Sequence, residues 1–450
     1  MSISTATIAA LRYGYGFRPG ETPPSGAADL TAQLEAADPM SAGGLPSVVH
    51  VYELIRARRD AVRAKVEDGE KGMSDALKAA NQAVAEVRLP LQARRIVPPV
   101  MSPQGFRERL ISFWADHFTV ISKGVNLATL GPLMVENSIR PHVAGKFDEM
   151  LIACTLDPAM IIYLDQNVSY GPESVAGRRN NRGLNENLAR EVLELHTLGV
   201  GGSYTQEDVV QFAELLTGYT VNPERGVLFA GNRAEPGAET VLGASYGGKK
   251  ANPEDAKDFL RDLARKPETA RHIARKLVVH FVSDTPDEGH VAQVAEAWGD
   301  GGDLKAVYAA LLDHEQAWKP EFTKARQPLD YSIACLRAFD AMSFEKQRMR
   351  LAQQTKRHLI LMGQPLMQPG GPNGWPEEVD AWITPQGLAG RIRFAKFLSQ
   401  RFGRKTDPRE FLEATLGDAA DDKLTFAVSA AEQKWEGISL TLLSPVFNRR

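Results

Sequence analysis

The densest run of chemically capable side chains is NENLAREVLELHTLGVGGSYTQEDV, residues 185–209. Wound as a helix, it puts Asn187, Glu191 and Glu194 on one face, with Arg190 beside Glu194. Two carboxylates and an amide on one stripe could work as general acid and base or hold a cation, and Arg190 could hold an anionic group. On a regular helix His196 lies roughly 140° round from Glu191, so the two share a centre only if the helix changes course near its end. Gly199, Gly201 and Gly202 just beyond make such an ending expected.

A second imidazole comes from RERLISFWADHFTV, residues 107–120. His117 ends an amphipathic helix there, and with Trp114 and Phe118 packed inward its ring would sit at the edge of the core. The leading expectation is an enzyme with a His/Glu polar centre. Its catalytic groups would be His117, Glu191, Glu194 and His196, with Asn187 and Arg190 binding substrate. A donor set of this kind is compatible with assistance by a divalent metal. The rival expectation is a helical binding or scaffold protein acting with a partner protein, in which the same charges are a buried salt-bridge network and the histidines are hydrogen-bonded core residues or helix C-terminal partners. Water access separates the two, because a site needs a cleft that reaches its side chains.

Other candidates read as structure. His272, Lys276 and His280 lie at i, i+4 and i+8 in ARHIARKLVVHF. Imidazoles two turns apart are too distant to share one metal directly, which leaves a packing or surface role. There is no HExxH, GxSxG or CxxC, and GYGFRPG lacks the spacing of a dinucleotide fingerprint. GASYGGKK, residues 243–250, follows the phosphate-loop pattern until Lys250 stands where a magnesium-binding hydroxyl is needed. A structural turn that binds no nucleotide is expected.

These residues need a scaffold, and 450 residues with 43% hydrophobic and 24% charged side chains can bury a large core. The apolar period is helical through most of the chain, so the expected class is mostly α, with few or no strands. Residues 47–95 read as a helical hairpin broken at Gly69 and Gly72. With the first residues they make an N-terminal extension, 1–100, packed on a main helical unit, 101–450. Helices are expected at 104–119, 127–141, 146–155, 185–198, 206–217, 254–265, 268–282, 303–312, 328–340, 346–361 and 386–401. Thr205 with Asp208 resembles a capping box, and Pro267 suits a first turn. Residues 219–250 read as loops with one small hairpin, and 363–376 (GQPLMQPGGPNGWP) as irregular.

The formal net charge is −3, without the basic excess of a nucleic-acid binder. The basic run Arg56 to Arg63 is followed by Glu67, Asp68 and Glu70, as on a solvated helix face. No run approaches the roughly 18 apolar residues of a membrane span. The opening MSISTATIAALRYGYG lacks the character of a signal peptide, which points to the cytoplasm, or to the periplasm if the sequence is a processed form. Cys154 and Cys335, the only cysteines, sit in apolar surroundings and are expected to be reduced and buried.

The stretches FWADHFTV, AMIIYLD, NENLAREVLELHTLGVGGSYTQEDV, ELLTGYTV, PETARHIARKLVVHFVSD, GWP, AW and the closing LLSPVFNRR resemble the bacterial family catalogued as domain of unknown function 1800. They run from about residue 105 to the end, and GYGFRPG is similar to the family's opening. Members commonly carry a His-Asp pair where this chain has Asn232 and Arg233, so any site completed by that pair is altered here. The resemblance implies an often exported protein and a possible partner from a neighbouring sulfatase-like family. It carries no reaction.

Overall fold

A computed structural model describes residues 3–41, 43–67 and 73–450. It is built almost wholly of helices around two hydrophobic cores. The larger core draws on residues from Ala9 to Ala317 and includes Phe106, Trp114, Phe147, Leu193, Phe259 and Leu277. The smaller one gathers Tyr15, Val100, Tyr331, Leu336, Leu359, Phe394 and Phe447. Helix Gly105–His117 belongs to the first, helix Pro328–Ala338 to the second, and the polar centre described below lies where they meet.

Helix starts follow local chemistry. Thr205 and Asp208 close a reciprocal capping box ahead of Gln206–Leu215, and Asn252 with Asp255 does the same for Pro253–Ala264. Pro267 opens Pro267–Phe281, where its missing N–H costs nothing. Further helices, among them Glu288–Glu296, Pro408–Leu416 and Asp422–Ser429, lie outside the expected set. Each is short, so its apolar period is weak, but each begins at an aspartate whose side chain accepts a backbone N–H.

Helices Val48–Glu67 and Asp75–Ala93 form the expected pair and are bridged by Arg58 Nε donating to Asn81 Oδ1 at 2.8 Å. Arg56, Arg59 and Arg63 are exposed along the first, as expected of a solvated face. The proposed break at Gly69 and Gly72, and Asp68 and Glu70, lie outside the described residues. Residues from the first hundred, including Tyr13, Leu30, Val51 and Leu91, enter the larger core.

Residues 219–250 form two antiparallel hairpins rather than one, Tyr219–Asn222 with Gly226–Phe229 and Gly237–Val241 with Ala244–Gly248. GASYGGKK therefore supplies a hairpin strand. Leu242 and Gly243, with φ of 50° and 80°, make the two-residue turn that matches the twist of the strands. Among the described residues no helix is long and apolar enough to cross a membrane. Cys154 and Cys335 are free and buried, and burial pushes both thiols up, Cys335 to about 12.

The expectation of an amphipathic helix at 107–120 needs correction. Gly105–His117 is buried on nearly every side, so Arg107, Glu108 and Arg109 are buried too. Glu108 accepts both Nη groups of Arg140, at 2.7 and 3.0 Å, and Arg140 also meets Glu136 at 3.1 Å and Asp38 at 3.0 Å. Arg94 reaches Glu136 at 2.7 Å. Burial raises the Glu108 carboxyl against the pull of Arg140. Removing one member leaves its partner charged and enclosed, so Arg140→Ala should cost on the order of 3–5 kcal/mol in denaturant unfolding. A loss under about 1 kcal/mol, the range of exposed pairs, would contradict this.

Candidate functional site

The helix at 185–198 changes course near its end, but this does not bring Glu191 and His196 into one centre. Asn187–Glu191 is α-helical, Val192–Thr197 is π-helical, and Thr197 Oγ1 donates to the Val192 carbonyl at 2.7 Å. The wider turn sends His196 into the core. His117 Nε2 donates to the His196 carbonyl at 3.2 Å, and the two rings stand 5.7 Å apart. His272 Nε2 donates to the Leu195 carbonyl, also at 3.2 Å. Two imidazoles thus cap carbonyls that a helix end leaves without partners. Burial holds His117 well below the ordinary range and His196 at about 3, and Lys276 adds to both depressions.

The carboxylates of that helix face the other way. Arg190 bonds Glu186 at 2.8 Å and Gln206 at 2.8 Å, and lies 3.5 Å from Glu194. Asn187 is exposed, and Glu191 and Glu194 are partly so. Burial, then repulsion from Glu194, raises the Glu191 carboxyl, and Arg190 opposes them. The structure brings His117 to His196, joins Arg190 to Glu186, Gln206 and Glu194, and leaves Asn187 exposed and Glu191 partly so, away from the two imidazoles. Among the described residues no group of three His, Cys, Asp or Glu is placed to hold a metal ion.

A denser polar centre lies on the far side of His117, between the two cores. His280 Nδ1 lies 2.6 Å from Glu377 Oε1, and Arg109 Nη2 lies 3.0 Å from His280 Nε2. A guanidinium only donates, so Nε2 accepts and the imidazole proton sits on Nδ1, directed at Glu377. Arg109 continues to Asp330 at 2.5 Å. Arg450 is fully buried, 3.4 Å from His280 and 3.7 Å from Asp330. Lys324, also fully buried, donates to Asp284 and to the Glu377 carbonyl. Burial raises the Glu377 carboxyl, but contact with His280, and then with Lys324, holds it at about 2.

Asp116 lacks such support. Both its oxygens lie 3.1 Å from the Trp375 backbone N–H, and among the described residues it has no ion pair. Burial, then the charge of Glu377, pushes its carboxyl up to about 7, which Trp375, Lys276 and Arg95 only partly offset. Lys276 is likewise without an ion pair among the described residues, and desolvation pushes its amine down. The GWP turn comes close to Asp116 because residue 374 is glycine. Its φ is +80°, and a Cβ there would lie 2.7 Å from Asp116 Oδ2.

Asp116 and His280 line a cavity of about 60 Å³, together with Arg95, Asp330, Gln364 and Trp375. Sequence reasoning passed over Asp116 in favour of its neighbour His117, and assigned His280 to packing. The usable signal was the pairing of a Pro/Gly-rich loop with an adjoining acid, GWPE at 374–377. Asn232 and Arg233 serve the 167–177 region instead. Their carbonyls accept the N–H groups of Ala176 and Gly171, and the Arg233 guanidinium lies 4.6 Å from the Tyr170 ring centre.

A family model described as "Protein of unknown function (DUF1800)" matches residues 8–449. Comparison with curated proteins and with solved structures finds no match.

The division between surface network and buried imidazoles sets an order of stabilities. Arg190→Ala should cost less than about 1 kcal/mol, as an exposed pair does. His117→Ala should cost about 2–5 kcal/mol, because it empties a packed position and frees a carbonyl. Denaturant melts of the two variants check this, and the reverse order would refute the assignment.

Proposed function

The chain belongs to the family of proteins of unknown function DUF1800, and from that premise we propose that it is an enzyme whose acid–base group is Asp116, acting on a small polar compound in the cavity between the cores. The observation that carries this reading is the state of Asp116. It is a carboxyl at a cavity wall, held by one backbone N–H, without an ion pair among the described residues, in a centre where the neighbouring acids are paired.

A carboxyl pushed up to about 7 both keeps and releases a proton near neutral pH. It can donate to a developing oxyanion or leaving group and accept the proton back. Lys276, whose charge is disfavoured by burial, is suited to share that proton traffic. Glu377 and His280 act as positioning residues: they fix the walls, and the negative charge of Glu377 helps raise Asp116. On this reading the 185–198 segment is a structural element and His117 its cap.

A second reading, a binding or scaffold protein acting with a partner protein, draws on a different observation. Ile392 and Leu440 are exposed and line an apolar groove with Trp435 and Leu443.

Untargeted mass spectrometry of a metabolite extract incubated with the purified protein distinguishes the two. The enzyme reading expects at least one small compound to be consumed, and Asp116→Asn to slow this by about 100-fold or more while the variant remains folded. Equal consumption by parent and variant, or none by the parent, would sink it.

A further inference from the structure

We propose that Arg95 is the recognition group of this cavity and that the compound it takes is a small monocarboxylate with a short apolar body; this rests on the enzyme reading above. Arg95 lies in the turn between helices Asp75–Ala93 and Val97–Met101 and is 6% exposed. Its neighbour Arg94 is spent on Glu136 and the Met40 carbonyl. Among the described residues the Arg95 guanidinium makes no hydrogen bond and no ion pair, and its Nε is enclosed without an acceptor. An arginine in this position has lost its water without gaining a partner, an arrangement that folding alone does not favour.

The other large buried arginines at this junction are engaged. Arg109 holds Asp330, and Arg391 holds Asn448 and the Arg326 carbonyl. Arg337 holds four backbone carbonyls and Glu21. Arg95 differs in that the side it presents is the cavity. Burial pushes its guanidinium below the usual range, so an incoming anion would restore charge balance.

The remaining lining narrows the ligand. Gln364 is occupied by Gln327 and the Leu329 N–H, and Ser112 by Tyr15. Ala115, Val120, Leu329, Leu366 and Met367 present only carbon or sulfur. A planar cation without a partner among the described residues, beside an apolar wall, suits a carboxylate, which a guanidinium binds through two parallel hydrogen bonds. Asp116 and Asp330 also line the space, and their negative charge opposes a dianion such as phosphate. The dimensions admit only a short chain, since about 60 Å³ is small beside the sites that hold drug-sized molecules. Bound in this way, the carboxylate would lie in the same cavity as Asp116, with its body against the apolar wall.

Calorimetric titration of the purified full chain with acetate, propanoate and pyruvate tests the proposal, with propanamide and inorganic phosphate as comparison probes. At least one of the three carboxylates should bind saturably, with propanamide and phosphate weaker by about tenfold or more. Arg95→Met should weaken carboxylate binding by about 100-fold, and Arg95→Lys, which keeps the charge and loses the fork, by about tenfold. Should Arg95→Met fail to fold, Arg95→Lys carries the comparison. Asp116→Asn should retain or tighten binding, because it removes a negative charge from the wall, even though turnover slows. Equal binding by the Arg95 variants, preference for propanamide or phosphate, or no carboxylate binding by the parent would each overturn the inference. A parent that binds carboxylate through Arg95 but turns nothing over would instead overturn the enzyme reading alone.

Discussion

The line of contacts Glu377–His280–Arg109–Asp330 is the constraint on which the junction depends. His280 and Arg109 come from helices of the larger core and Asp330 from a helix of the smaller. Each link is a hydrogen bond of 2.5 to 3.0 Å between charged or polarised groups. Charges buried this deeply are tolerable only when each finds its partner, and losing one strands the next. The line thus favours one relative placement of the two cores over others that would bury similar apolar area. Lys324 and Arg450 reinforce its Glu377 end.

That placement brings the 363–376 loop over helix Gly105–His117. Trp375 lends its N–H to Asp116, while the Pro376 carbonyl accepts Trp382 Nε1 at 2.8 Å and the Glu377 carbonyl accepts Lys324. The loop is therefore a rigid arm that carries one acid next to another. The junction thus sets a carboxylate with cations around it, Glu377, near one held by a single backbone N–H, Asp116. Two carboxyl groups whose surroundings push them apart in this way are the usual physical basis for dividing acid and base roles. Asp116, Lys276 and Arg95, which have no ion pair among the described residues, are groups whose buried charge a ligand would help to balance.

Much of the scaffold is legible in the sequence, because helices declare themselves through neighbours in the chain. The Thr205–Asp208 box, Pro267 and the glycines after Leu198 each act within a few residues, and the mostly helical class follows from the apolar period. The change of course at Val192–Thr197 was expected from the glycines that follow it, but the shared centre of Glu191 and His196 that it was to allow does not form. The centre itself was not legible. Its contacts join residues 97, 171 and 221 positions apart, and no local pattern ties Glu377 to His280 or Arg109 to Asp330. Residue type also misled: Glu191 and Glu194 form a clean helical stripe because they face outward, whereas Asp116 sits among aromatics and looks like part of a core.

Whether Asp116 is a working acid or one more member of a lock is answered most directly by the pH dependence of unfolding free energy for the parent and Asp116→Asn. A carboxyl raised from its unfolded value of 3.8 to about 7 binds more protons when folded, so its stabilising effect is complete below pH 4 and disappears as pH rises to 7. The stability of the variant minus that of the parent should therefore increase by a few kcal/mol between pH 4 and 7 and level off above, at about 1.4 kcal/mol for every tenfold difference in proton affinity between the folded and unfolded chain. Taking the difference cancels the buried histidines and Glu377, whose slopes have the opposite sign. A flat difference would mean that folding leaves the proton affinity of this carboxyl unchanged, and one that falls as pH rises would mean that the ionised carboxylate is paired and stabilising; either would contradict the account.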